Sequence, residues 1–190
     1  MNLAGRWTLG VGLAVAAWLV ISVTPDHREH TAAPVPVPAT IGESVEASGM
    51  TVTVTGVRMT DGLQPPGGSP ISGRWVVVDL AVISRDSDLE DPVGGVGLQL
   101  NDTLITSSDL IYREQRIDGF QLRTGLVVSG SILFQIAPDA PLGDATVMIG
   151  RRSSDDVGVW SGDQVQLVVD LGAIPLETDL SFEAPTVRAP

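Results

Sequence analysis

The clearest periodic signal in the chain is Arg74–Ser84, RWVVVDLAVIS, where Val76, Val78, Leu80 and Val82 alternate with Trp75, Val77, Asp79, Ala81 and Ile83. Successive strand side chains point to opposite faces, so one face here is wholly aliphatic and the other mixed. That pattern predicts a central strand of a two-sheet structure. Met50–Val57 alternates as well, with Met50, Val52 and Val54 against Thr51, Thr53 and Thr55. It reads as a half-buried antiparallel strand. A hairpin turn at Ser48-Gly49 joins it to a short strand that opens at Gly42-Glu43 and ends at Ala47. Gly125–Pro138 is a second strong strand, with Ile132, Phe134 and Ile136 toward the core and Ser131, Leu133 and Gln135 away from it. Val96–Leu100 and Thr103–Thr106 form a predicted hairpin around Asn101-Asp102. Phe120–Arg123, Ala145–Ile149, Val157–Trp160 and Val165–Leu171 complete the set. About eight or nine short strands with turn signals and almost no helix predict an all-β, antiparallel β-sandwich over residues 41–171.

The breaks in the pattern carry the candidate chemistry. Thr60–Gly73, TDGLQPPGGSPISG, is dense in proline and glycine and reads as one long irregular loop. Long loops on a rigid scaffold are common contact sites, so Leu63, Gln64, Pro65, Pro66 and Ile71 are candidate partner-binding residues. Arg85–Pro92 sets Asp86, Asp88, Glu90 and Asp91 close together, a candidate oxygen-ligand set for calcium. It departs from the EF-hand pattern: counting Asp86 as the first position, Asp91 stands where glycine is required and Gly97 where glutamate is. A solvated acidic turn is the plainer reading. Ser107–Gly119 is polar and irregular, with the lone Tyr112 near Arg113 and Arg116, and reads as a short helix or an excursion between sheets. Residues 172–190 read as an extended tail with a short strand at Leu180–Phe182.

Before the sandwich, Trp7–Val23 is uncharged and apolar. As a helix it spans roughly 25 Å, near the lower limit for crossing a bilayer. Two readings compete: an uncleaved transmembrane anchor, or a signal peptide cut after the small residues around Ala14-Val15-Ala16. Cutting there leaves AWLVISV as an exposed apolar terminus, which favours the anchor. Residues 1–6 are then cytoplasmic, residues 24–40 form a proline-rich stalk, and the rest is exported. His27 and His30, spaced like helical metal ligands, sit in that stalk as a solvated flank.

Composition narrows the chemistry further. The chain has 190 residues and no cysteine, which removes disulfides, thiol nucleophiles, cysteine-held metals and an N-terminal lipid-bearing cysteine. Its net charge is −12, and every carboxylate lies at or after Asp26, so nucleic-acid binding is disfavoured. Serine catalysis needs a histidine or lysine base, the chain has no lysine, and both histidines precede the sandwich. No nucleotide, zincin or hydrolase-elbow motif occurs. The expectation is a non-catalytic module, on a single-pass membrane protein, that binds a protein or envelope partner, in one version as an accessory subunit of a membrane complex. No cofactor other than calcium is implied. The alternatives are a calcium- or ligand-sensing ectodomain and, behind it, a carboxylate-dependent glycosidase.

The order of these features resembles a known group. An apolar N-terminal segment and a proline-rich linker precede Ile41-Gly42-Glu43, followed by the TVTV strand, then WVVVDLAVIS and its acidic turn. Gly130-Ser131, Phe134, Ile136 and Pro138 follow later. This is similar to the immunoglobulin-like extracellular domains of unknown function in Gram-positive and actinobacterial surface lipoproteins, themselves similar to a secreted immunogenic mycobacterial antigen. The resemblance implies an Ig-like fold at the cell surface and supplies no catalytic residues. Ser84-Arg85-Asp86 stands where that group usually closes its strand with asparagine, and no lipid-bearing cysteine is present.

Overall fold

A computed structural model describes residues 34–85, 93–152 and 160–190. The expected transmembrane segment, residues 7–23, and the acidic segment 86–92 lie outside the described residues, as does most of the expected strand at Val157–Trp160. Among the described residues no helix is long and apolar enough to cross a membrane.

The described residues are all-β, with two sheets facing each other across one core. The first sheet has the order β1 (Val35–Ala39), β9 (Trp160–Asp170), β8 (Asp144–Arg152), β5 (Gly95–Leu100) and β6 (Thr103–Thr106). The second has the order β10 (Leu176–Glu177), β3 (Met50–Gln64), β4 (Ile71–Ser84), β7 (Val127–Ile136) and β12 (Thr186–Arg188). β2 (Ser44–Ala47) and β11 (Leu180–Ser181) also pair with β3, along the edge that β10 uses.

β4 is the centre of the second sheet, as its alternation predicts. Val76, Val78, Leu80 and Val82 point into the core beside Val128, Ile132, Phe134 and Ile136 of β7. Phe134 is fully buried, which contributes roughly 2 kcal/mol by transfer from water. The opposing sheet supplies Leu98, Val147, Ile149, Val165 and Leu167. The hairpin turn at Ser48-Gly49 has positive φ at both residues, the geometry that matches strand twist in a two-residue connection.

β3 departs from simple alternation. Met50, Val52 and Val54 face inward, a bulge at Thr55 inserts one residue, and Val57 and Met59 then take over the inward face. Its inward face therefore stays in phase with that of β4 from Met50 to Met59 despite the change of parity.

Four sequence expectations are corrected. The stretch Thr60–Gly73 is not one irregular loop: β3 runs through Gln64 and β4 starts at Ile71, leaving only residues 65–70 irregular. The two strands stay paired there because a second register shift, between Thr60 and Gly62, absorbs Gly73 at φ 141°, a conformation that only glycine adopts freely. The stalk does not extend to residue 40, because Val35–Ala39 pairs in parallel with β9. Pro36 and Pro38 are tolerated since alternate residues of an edge strand direct their backbone N–H away from the partner. Nor does the sandwich stop at Leu171. The segment beyond Ile174 runs as a strap: β10 and β11 lie along the β3 edge, Phe182 crosses the outer face, and β12 pairs with the far edge of β7. Phe120–Arg123 forms no strand.

The strap explains the mixed face of β4. Trp75, Val77 and Leu133 point away from the main core yet are buried, under Ile111, Leu180 and Phe182. Asp79, the single acidic residue of that strand, is neutralised on the same face. Arg58 donates to it through Nε (2.8 Å) and Nη2 (3.1 Å), and Ser131 Oγ donates at 2.6 Å.

Candidate interaction site

The irregular residues 65–70 are held in a fixed shape. Gln64 Nε2 donates to the Gly68 carbonyl at 2.7 Å and the Pro65 carbonyl at 3.3 Å, and Gly68 N–H closes back on Pro65 O at 3.1 Å. Gly67 sits at φ 65°, the left-handed turn position that glycine takes without strain.

Facing this turn is the excursion 107–119, which contains two short 3-10 turns at Arg113–Gln115 and Ile117–Gly119. It wraps around the β7 edge: Ser108 N–H donates to Leu133 O at 2.8 Å, Ile111 enters the outer cluster and Ile117 the main core. Arg116, only 7% exposed, is its internal anchor. Its guanidinium donates to the Ser108 carbonyl and forms an ion pair with Asp118 at 3.5 Å, too long for a hydrogen bond. Asp118 in turn accepts from Ser107 Oγ at 2.6 Å. Gln115 Nε2 donates to the Pro66 carbonyl at 2.9 Å and ties the excursion to the proline turn.

Between the two segments lies a cleft of about 270 Å³, walled by Pro65, Pro66, Ile71, Leu110, Tyr112 and Gln115. Ile111 is buried beneath it, while Leu110 is 61% and Tyr112 76% exposed on the rim. Large apolar side chains held on a fixed frame and left in water are what a protein-binding surface requires.

Of the candidate residues, Pro65, Pro66 and Ile71 come together in this cleft. Leu63 does not: it is 0% exposed in the outer cluster with Trp75 and Val77, a core residue that no partner reaches. Gln64 acts inside the turn, bonding its backbone. Leu110 and Gln115 carried no sequence signal, and Tyr112 only that of being the lone tyrosine.

Asp86, Asp88, Glu90 and Asp91 lie outside the described residues, so the geometry of that set is not described. They follow directly on the far end of β4, whose 14 residues separate that end from the cleft by about 45 Å. Among the described residues no group of three or more histidines and carboxylates is placed to hold a metal. The described chain also begins at that far end. Val35 lies opposite Asp163, whose carbonyl accepts from Ser48 Oγ, and Gly49 O accepts from Arg85 N–H.

Further hollows among the described residues include the following two. One of about 260 Å³ lies under the strap at Arg58, Asp79 and Ser131, whose charges and hydroxyl are already satisfied by one another. The other, of about 470 Å³, is bordered by Phe120, Leu126, Val128 and Val187.

No protein-family model matches the chain. No curated protein matches it either. Among solved structures, a candidate lipoprotein of Bacillus subtilis aligns with a TM-score of 0.46 at 15% identity, over 70% of this chain and 40% of that one. An uncharacterised β-sandwich protein of Clostridium difficile aligns with a TM-score of 0.39 at 9% identity, over 73% of this chain and 97% of the other. This chain thus spans less than half of the Bacillus protein. The strand pairing described above by itself defines the sandwich.

Proposed function

We propose that the chain is a membrane-anchored, extracytoplasmic Ig-like module without catalytic activity, which binds a protein partner through the cleft between residues 65–71 and 110–115. The observation that carries this reading is the pair Leu110 and Tyr112, exposed on a rim braced by Arg116 and Gln115. The Ig-like version draws support from strand order. β3-β4-β7 in one sheet and β5-β8-β9 in the other follow the A-B-E and C-F-G arrangement, with β6 added beside β5 and the strap replacing a D strand. The non-catalytic version draws support from the polar groups available. Neither histidine nor lysine occurs among the described residues, and the two hydroxyls that bond a carboxylate at 2.6 Å, Ser107 and Ser131, each donate to an aspartate already paired with arginine. Export and anchoring rest on the apolar segment 7–23 and the net charge of −12.

The test is site-specific photo-crosslinking in intact membranes, with a benzophenone amino acid at position 112 and, separately, at Glu43 near the opposite end. A discrete adduct at 112 that is missing at 43 supports the reading. Equal labelling at both positions, or none at 112, sinks it.

A further inference from the structure

The cleft end of the sandwich has an uneven charge distribution. Carboxylates neighbour it in the chain: the Asp109 side chain, 100% exposed, precedes Leu110, Glu114 precedes Gln115, and Asp61 and Asp179 both lie at Gly62, two residues before β3 ends. The arginines of the same end are engaged. Arg74 donates to Asp61 and to the Pro138 carbonyl, and the buried Arg116 pairs with Asp118 at 3.5 Å and with Asp109 at 3.7 Å; with Arg113, three arginines stand against the five carboxylates Asp61, Asp109, Glu114, Asp118 and Asp179, so this end stays net acidic. An apolar groove in net acidic surroundings favours a ligand with the inverse layout. We infer that the cleft takes an extended segment of a partner protein that places an aliphatic or proline side chain between Pro66 and Tyr112 and carries lysine or arginine on either side. The inference rests on the cleft being the partner site, as proposed above. A second copy of this chain is disfavoured as occupant, since each copy carries −12.

The probe is a phage-displayed library of random nine-residue peptides, selected against the full-length protein in neutral-lipid nanodiscs and counter-selected on empty nanodiscs. Enriched peptides are synthesised and titrated by fluorescence polarisation at low and high salt. The expected peptides combine an apolar centre with basic flanks. They lose about tenfold or more in affinity for Leu110→Asp and Tyr112→Ala, as substitutions at an exposed anchor do. They also lose several-fold for the pair Asp109→Asn with Glu114→Gln and on raising salt. All four positions are exposed, so unchanged thermal midpoints verify folding. Peptides that need Leu110 and Tyr112 but are acidic or uncharged overturn the charge inference alone. Peptides indifferent to both positions, or no enrichment at all, overturn it together with the cleft as the partner site.

Discussion

Leu63 and Tyr112 divide two roles that sequence position alone confuses. Leu63 stands in a proline- and glycine-rich stretch and reads as a loop residue, yet it is fully buried beside Trp75. Replacing it with alanine is expected to cost about 2–5 kcal/mol of unfolding free energy, seen in denaturant melts, with crosslinking at position 112 unchanged for the folded fraction. Tyr112→Ala has the opposite profile, an unaltered melt and a lost contact. Gly62 is a third telling position. A Cβ built there lies 2.7 Å from both the Thr178 carbonyl and Asp179 Oδ1, so Gly62→Ala forces the strap away from β3. The expected penalty is about 1–3 kcal/mol, read from the same melts, and an unchanged midpoint would show that the strap does not press on β3. None of this was visible in one dimension, because a glycine required by a neighbour 116 residues away has the same local signature as a glycine in a turn.

At the scale of elements, legibility followed the strength of local pattern. β4 and β7 are long and β-branched and alternate cleanly, so their faces were readable down to Phe134 and Leu133. The β5–β6 hairpin was readable from Asn101-Asp102, and Asn101 indeed takes the left-handed conformation at φ 53°. β1 and the strap were misread because their strands are short, proline-bearing and paired with partners remote in sequence. Nothing local distinguishes a stalk from an edge strand when the deciding contact is with β9. The strap nevertheless has a measurable weight. Phe182→Ala empties the space over Trp75 and Leu133 and is expected to cost about 3–5 kcal/mol, lowering the thermal midpoint by about 10 °C. Hydrogen exchange should quicken in β12 and in residues 127–129 of β7 before the main core responds. Uniform acceleration across both sheets would show that the strap is not a separable unit.

For the whole molecule, the two sheets manage their borders unequally. The β3 edge is lined by β2, β10 and β11, the β7 edge by β12 and the Ser108 amide, and the outer border of β1 carries two prolines. Such devices keep a sandwich from adding strands indiscriminately. They also leave recognition to side chains, which is consistent with a cleft in which Leu110 and Tyr112, and not backbone groups, stand in solvent. The candidate site was half legible for this reason: the proline turn announces itself in composition, while its other wall is an excursion brought there by Arg116 and Gln115 through contacts no periodicity encodes.

The parallel pairing of β1 with β9 has a mechanical consequence. β1 enters at one end of the sandwich and the cleft lies at the other, with the strand axis running between them. Under the proposed function, tension between a partner in the cleft and the chain ahead of Pro34 would therefore pull β1 lengthwise along β9. The hydrogen bonds of that pair are stretched together in shear; they are not peeled open one at a time. Five residues in register, Val35 to Ala39 against Asp163 to Leu167, thus resist such a pull as one unit.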